Sequence, residues 1–181
     1  MTLTASDIIR FWFHEIDGSM WFTKDPVFDE ICKKKFSVIH ASISAGETFK
    51  WRQTAEGRLA EILVLDQFSR NMFRDTAGAF ASDPLALLLA QEAVQSGDDL
   101  KLPLERRTFI YMPYMHSESL IVHEEAVRLF STKGLEQNLD YEYRHKRILE
   151  RFGRYPHRNS ILGRVSTPEE IEFLKQPGSG F

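Results

Sequence analysis

Apolar residues recur every three or four positions along most of the chain, and this spacing predicts helices rather than strands. Thr4, with Asp7 three residues on, caps a first helix that runs through Ile8, Ile9, Trp12 and Phe13. Asp25-Pro26 reads as an N-cap followed by proline at the first helical position. The helix it opens carries Phe28, Ile31, Cys32, Phe36, Ile39 and Ile43 on one face and stops at Gly46. A third helix is expected over residues 54–72, and a fourth from Asp83-Pro84 to near Gly97. A fifth opens at Pro103 and is kinked or broken at Pro113, whose ring removes one backbone bond. A sixth spans 117–132 with Gly134 as its stop, and a seventh spans 139–152 and ends at Gly153. Thr167-Pro168-Glu169-Glu170 is a capping box that opens a short last helix to about Lys175.

Runs that alternate polar and β-branched residues between hairpin turns are missing. The expectation is an all-α fold of about eight helices stacked as antiparallel hairpins, in a single domain over residues 1–181. The tail, residues 176–181, either frays or docks its terminal Phe181 on the body.

Several polar residues fall on the predicted apolar faces. At 100° per residue, Leu59, Ile62, Leu63, Asp66, Arg70 and Phe73 share one sector, so Asp66 and Arg70 form an i,i+4 pair inside an apolar stripe. Gln67 and Asn71 form a second such pair beside it. Burying charge is costly unless it is paired, so Asp66–Arg70 is either an ion pair that fixes helix register or the border of a polar pocket. The sixth helix places His116, Leu120, His123, Val127 and Phe130 together, and the seventh places Tyr141, His145, Ile148 and Phe152 together. Two successive helices with inward histidines point to a shared cavity.

Composition narrows the function classes. A chain of 181 residues, 43% hydrophobic and 27% charged, has the make-up of a globular protein, and fourteen Phe, five Tyr and three Trp predict a core built from rings. The net charge of −3 speaks against general nucleic-acid binding. No apolar run approaches the roughly 18 residues needed to span a bilayer, no signal peptide is seen, and the single Cys32 excludes an intrachain disulfide. The expectation is a soluble cytoplasmic protein with no nucleic-acid or membrane partner and no cofactor.

Metal and nucleophile chemistry find little support. His116 and His123 lie about 10.5 Å apart along a helix, too far to chelate one ion easily. Glu142-x-x-His145 is half of a di-iron helical template without its second half, and no metal is expected. Cys32 belongs to an apolar stripe, and Ser179 lacks the strand-to-helix setting of a nucleophile elbow.

The strongest chemical signal is residues 151–164, RFGRYPHRNSILGR, with four arginines, one histidine and one asparagine and no acid. Such a cluster needs buried acidic partners, for which Asp66, Glu118 and Glu124 are candidates, or an anionic ligand. Arginine forks match carboxylate and phosphate, and a loop histidine exchanges protons near neutral pH.

The chain resembles a bacterial family known as domain of unknown function 924 over nearly its whole length. The resemblance rests on Phe11-Trp12-Phe13, Trp21-Phe22, DQFSR with Asn71, YMPYMHSE, RFGRYPHRNSILGR, STPEE and PGSGF. Ser69 stands where the family has proline, and His123 where it has glutamine. The resemblance implies a tetratricopeptide-repeat-like stack of helices and no assigned reaction. With these motifs it singles out Asp66, Arg70, Asn71, His116, Glu118, Arg154, His157, Arg158 and Asn159 as candidate site residues. The leading expectation is a polar pocket for a small anionic molecule, with Arg70, Asn71, Arg154, Arg158 and Asn159 binding and His116, His157, Asp66 and Glu118 moving or orienting protons. The alternative is a protein-interaction module of helical hairpins, with a groove near Trp21, Phe22 and Phe49 and a purely structural polar cluster.

Overall fold

The structure, a computed structural model, describes residues 3–180, so whether Phe181 frays or docks lies outside the described residues. Among the described residues the fold is all-α, with no strand. The helices are α1 (Ala5–Arg10), α2 (Pro26–Ser44), α3 (Ala55–Leu63), α4 (Ser69–Met72), α5 (Gly78–Ala81), α6 (Asp83–Gln95), α7 (Leu104–Met115), α8 (Leu120–Phe130), α9 (Glu136–Phe152) and α10 (Pro168–Leu174). Eight of these are longer than a single turn; α4 and α5 are four-residue turns.

The caps read from sequence form as expected. Thr4 and Asp7 bond each other's backbone in a capping box, Asp25 accepts from Val27 and Phe28, and Thr167 and Glu170 close a second box. Gly153 ends α9 in the left-handed conformation, φ 70°, which glycine adopts without a Cβ penalty.

Four elements carry features beyond the expected pattern. The first and third helices each contain a π turn, at Phe11–Glu15 and Val64–Phe68. A π turn inserts an extra residue and rotates everything beyond it, which regular periodicity cannot show. α7 continues through Pro113 to Met115, so of the kink or break expected there the break does not occur, and the irregular stretch follows at Ser117–Ser119. α9 starts three residues before the expected Leu139.

The chain divides into two compact units, one of Met1–Arg74 and Gly78–Pro113, the other of Asp75–Ala77 and Tyr114–Phe181. The first is built around α3 and the π turn that follows it. Every residue from Leu59 to Ser69 is buried, so this segment is central, not amphipathic. It packs against α1, α2 and α6, and its core is a lattice of rings: Phe11, Trp12, Phe28, Phe36, Phe68 and Phe109. Trp21 stacks on Trp12, whereas Phe22 and Phe49 are exposed.

Gly57 shows how tightly this unit is assembled. A Cβ there would lie 1.9 Å from the Trp51 carbonyl oxygen, on the turn Phe49–Gln53 that lies against α3. Gly57→Ala is expected to cost about 1–3 kcal/mol by forcing that turn away, measured by chemical denaturation. A neutral result would mean the turn yields without strain.

In the second unit α8 and α9 pack together as a helical hairpin. Ile148, Leu149 and Tyr155 form a buried cluster against which Phe152 and Phe173 pack. No helix among the described residues is long and apolar enough to cross a membrane.

Candidate functional site

The expected site residues fall in both units. Asp66, Arg70 and Asn71 belong to the first. Asp66 is buried, accepts from Gln67 Nε2 at 2.6 Å, and lies 3.0 Å from Arg70 Nη1. Arg70 also grips Asp83 with both terminal nitrogens, at 3.0 and 3.1 Å. Asn71 donates to Asp29, which Arg74 binds in turn. These contacts tie α2, α4 and α6 together.

His116, Glu118, Arg154, His157, Arg158 and Asn159 belong to the second unit, where the cationic segment meets its acids. Arg151 binds the exposed Glu169 at 2.8 Å. Arg154 binds the buried Glu170 through Nε at 2.7 Å and Nη2 at 2.8 Å. Asn159 Nδ2 and the Thr167 backbone N–H donate to the same Glu170. The Arg154 guanidinium, with these donors, holds the Glu170 carboxyl down at about 2.

Arg164 makes the second fork, with Nη1 2.6 Å and Nη2 2.9 Å from Glu118. Glu118 also accepts the Tyr155 backbone N–H at 2.7 Å. Burial pushes the Glu118 carboxyl up, but Arg164, the Tyr155 N–H and the nearby Arg158 charge together hold it below its ordinary value. Of the acids expected to meet this segment, Glu118 does so. Asp66 answers Arg70, while Glu170, in the last helix, takes the larger part. Hydrogen-bonded guanidinium–carboxylate forks fix geometry, so these pairs brace the loop between α9 and α10.

Arg158 is placed differently. It is buried, its guanidinium lies 4.7 Å over the Tyr155 ring, and its Nη2 donates to the His116 carbonyl at 3.0 Å. The short helical turn Pro156–Arg158 sets both Arg158 and His157 beside Tyr155, with the His157 ring 5.6 Å from the Tyr155 ring. His116 and His157 are half-buried.

Behind Tyr155 lies a fully buried acid–base group that sequence reasoning did not assemble. His123 Nδ1 is 2.6 Å from Glu142 Oε1. His123 Nε2 is 2.9 Å from the Ser117 carbonyl and 3.1 Å from the Tyr155 hydroxyl, which donates to the Met115 carbonyl at 2.6 Å. Burial raises the Glu142 carboxyl, and its Oε2 has no hydrogen-bond partner among the described residues. His145 donates from Nδ1 to the Tyr141 carbonyl, and burial drives its pKa down to about 3, so it is neutral at physiological pH. His116, His123 and His157 add to that depression, which places the four imidazoles in one electrostatic neighbourhood.

The signal for Glu142 was present in the sequence: it lies three residues before His145 on the same inward face of α9. Tyr155 carried a weaker one, an aromatic ring set between arginines. No cluster of three or more His, Cys, Asp or Glu among the described residues is arranged to hold a metal. A depression of about 510 Å³ in the first unit is lined by residues such as Thr54, Glu56, Lys101 and Arg106, and none of the expected site residues lines it.

Residues 8–178 match a family described as a bacterial protein of unknown function, DUF924. A solved structure of a protein of unknown function from Agrobacterium tumefaciens is 40% identical, with a TM-score of 0.90, and the match covers 94% of this chain and 96% of that one. No curated protein matches the sequence.

Proposed function

We propose a function for this chain, which belongs to the DUF924 family of bacterial proteins of unknown function: its second unit binds a small anionic molecule at the corner formed by Arg158, His116 and His157. The observation that supports this reading is that one carboxylate, Glu118, faces two guanidiniums, the Arg164 fork and Arg158, beside two half-buried histidines. A carboxylate or phosphate group is the chemistry that such a corner recognises. Arg151, Arg154 and Asn159 brace the loop through Glu169 and Glu170. Asp66, Arg70 and Asn71 serve as ties within the first unit. His116 and His157 are the groups suited to give or take a proton from a bound molecule, with Glu118 orienting the loop that carries His157.

Inorganic phosphate is the first probe. The expected result is thermal stabilisation of the protein by millimolar phosphate and shifts of the His116 and His157 ring resonances. Arg158→Lys keeps the charge but loses the fork, and is expected to weaken phosphate binding about tenfold or more. Unshifted histidines and an unchanged melting temperature would remove the basis for the reading.

A further inference from the structure

We propose that Glu142 and His123 are positioning residues of this anion site, holding one proton between them and thereby fixing the Tyr155 ring that carries Arg158. The inference rests on the reading that Arg158 meets the anion. It follows from a count of donors and acceptors. The carbonyl oxygens of Ser117 and Met115 can only accept. The Tyr155 hydroxyl has one hydrogen, and its 2.6 Å contact with the Met115 carbonyl takes it. The hydroxyl oxygen therefore accepts from His123 Nε2, which is also 2.9 Å from the Ser117 carbonyl, so Nε2 carries hydrogen.

That leaves Nδ1 facing Glu142 Oε1 at 2.6 Å. Two lone pairs at that distance repel, so one proton lies on this line, whether it is counted on nitrogen or on oxygen. Removing it would leave a net negative charge in a pair that is 0% exposed, and adding a second would leave a net positive one. Both are opposed by burial, so the pair stays singly protonated and neutral overall. Lys146 acts on Glu142 from the same helix, while His145 shares its surroundings with His116, His123 and His157.

The consequence reaches the site through Tyr155. Its hydroxyl is held by His123 and Met115, its backbone N–H by Glu118, and its ring lies beneath Arg158. Losing the shared proton would set the Nδ1 and Oε1 lone pairs against each other, push the His123 ring off Glu142 and withdraw its Nε2 donor from the Tyr155 hydroxyl, which loosens the ring beneath Arg158.

The test uses the whole protein, inorganic phosphate as the probe, and proton and nitrogen NMR of the histidine rings. The wild type is expected to show a strongly downfield His123 Nδ1 proton. In Glu142→Gln, whose amide can donate to Nδ1 of a neutral His123, that resonance is expected to vanish while phosphate affinity stays within about threefold. Glu142→Leu, folded by circular dichroism, is expected to bind phosphate about tenfold more weakly. A wild type without the downfield proton, or a folded Glu142→Leu that binds phosphate like the wild type, overturns the inference. If Glu142→Leu does not fold, Tyr155→Phe takes its place, and unchanged phosphate affinity there overturns it equally. Wild-type protein that binds no phosphate overturns the anion reading itself and the positioning role with it; the downfield proton then decides the shared-proton pair alone.

Discussion

Trp12→Ala is expected to destabilise the first unit by about 4 kcal/mol, the cost of removing a large buried ring and leaving a cavity. Trp12 has no exposed surface; it stacks on Trp21 at 6.2 Å and meets Phe68 and Phe109 edge-on or tilted at 5.3 and 5.8 Å. It stands in the π turn at Phe11–Glu15, so its ring fixes how α1 enters the unit. The indole Nε1 is buried with no hydrogen-bond partner among the described residues. Trp12→Phe, which discards that donor while keeping most of the ring, is therefore expected to cost less than about 1.5 kcal/mol. Urea denaturation followed by far-UV circular dichroism measures both variants. A loss below about 1 kcal/mol for the alanine variant would show that the ring lattice does not depend on its central member.

Glu170→Ala is expected to cost about 3 kcal/mol, because a buried carboxylate that satisfies four donors is lost and the Arg154 guanidinium is left without its fork. The effect depends on pH in a definite direction. Arg154 and the other donors depress the folded-state pKa of Glu170 to about 2, below its unfolded value of 4.5. Its contribution is thus complete above about pH 5 and is lost as pH falls from there towards 2. Glu170→Gln preserves shape and removes this linkage, so the variant is expected to show a flatter fall in stability between pH 5 and 2 than the wild type. Equal slopes in denaturation series over that range would show that Glu170 is not the acid-sensitive tie between the α9–α10 loop and α10.

Which features could be read from the chain depends on how far apart the interacting groups lie. The Thr4–Asp7 and Thr167–Glu170 boxes join residues three apart, and Asp25 accepts from the backbone N–H groups of Val27 and Phe28, two and three residues on, so helix starts follow from local composition. His123 and His145, on inward faces by helical periodicity, are both buried. Along residues 59–69 the inward Leu59, Ile62, Leu63 and Asp66, and the Asp66–Arg70 pair, are found as expected, but the residues between them are buried as well, because a helix buried on all sides has no amphipathic stripe and a π turn shifts its phase. Of the kink or break expected at Pro113, the break does not occur, and the chain stays helical to Met115. The flanking residues Tyr111, Met112, Tyr114 and Met115 are all buried there, and tertiary packing outweighs the lost backbone bond.

The all-α chain, its helix caps, its ring-built core and a cationic segment in need of acids are all legible along the residues. Which acids answered was decided by the tertiary structure: Arg164 reaches back 46 positions to Glu118, while Arg154 reaches forward 16 to Glu170. The Tyr155 hydroxyl, 40 positions from Met115, is likewise placed only by folding. The reason is physical. Capping and periodicity are set by the backbone geometry of neighbouring residues. A guanidinium can be satisfied by any carboxylate the fold brings within hydrogen-bond reach, and the burial that makes the choice costly exists only once the helices have packed.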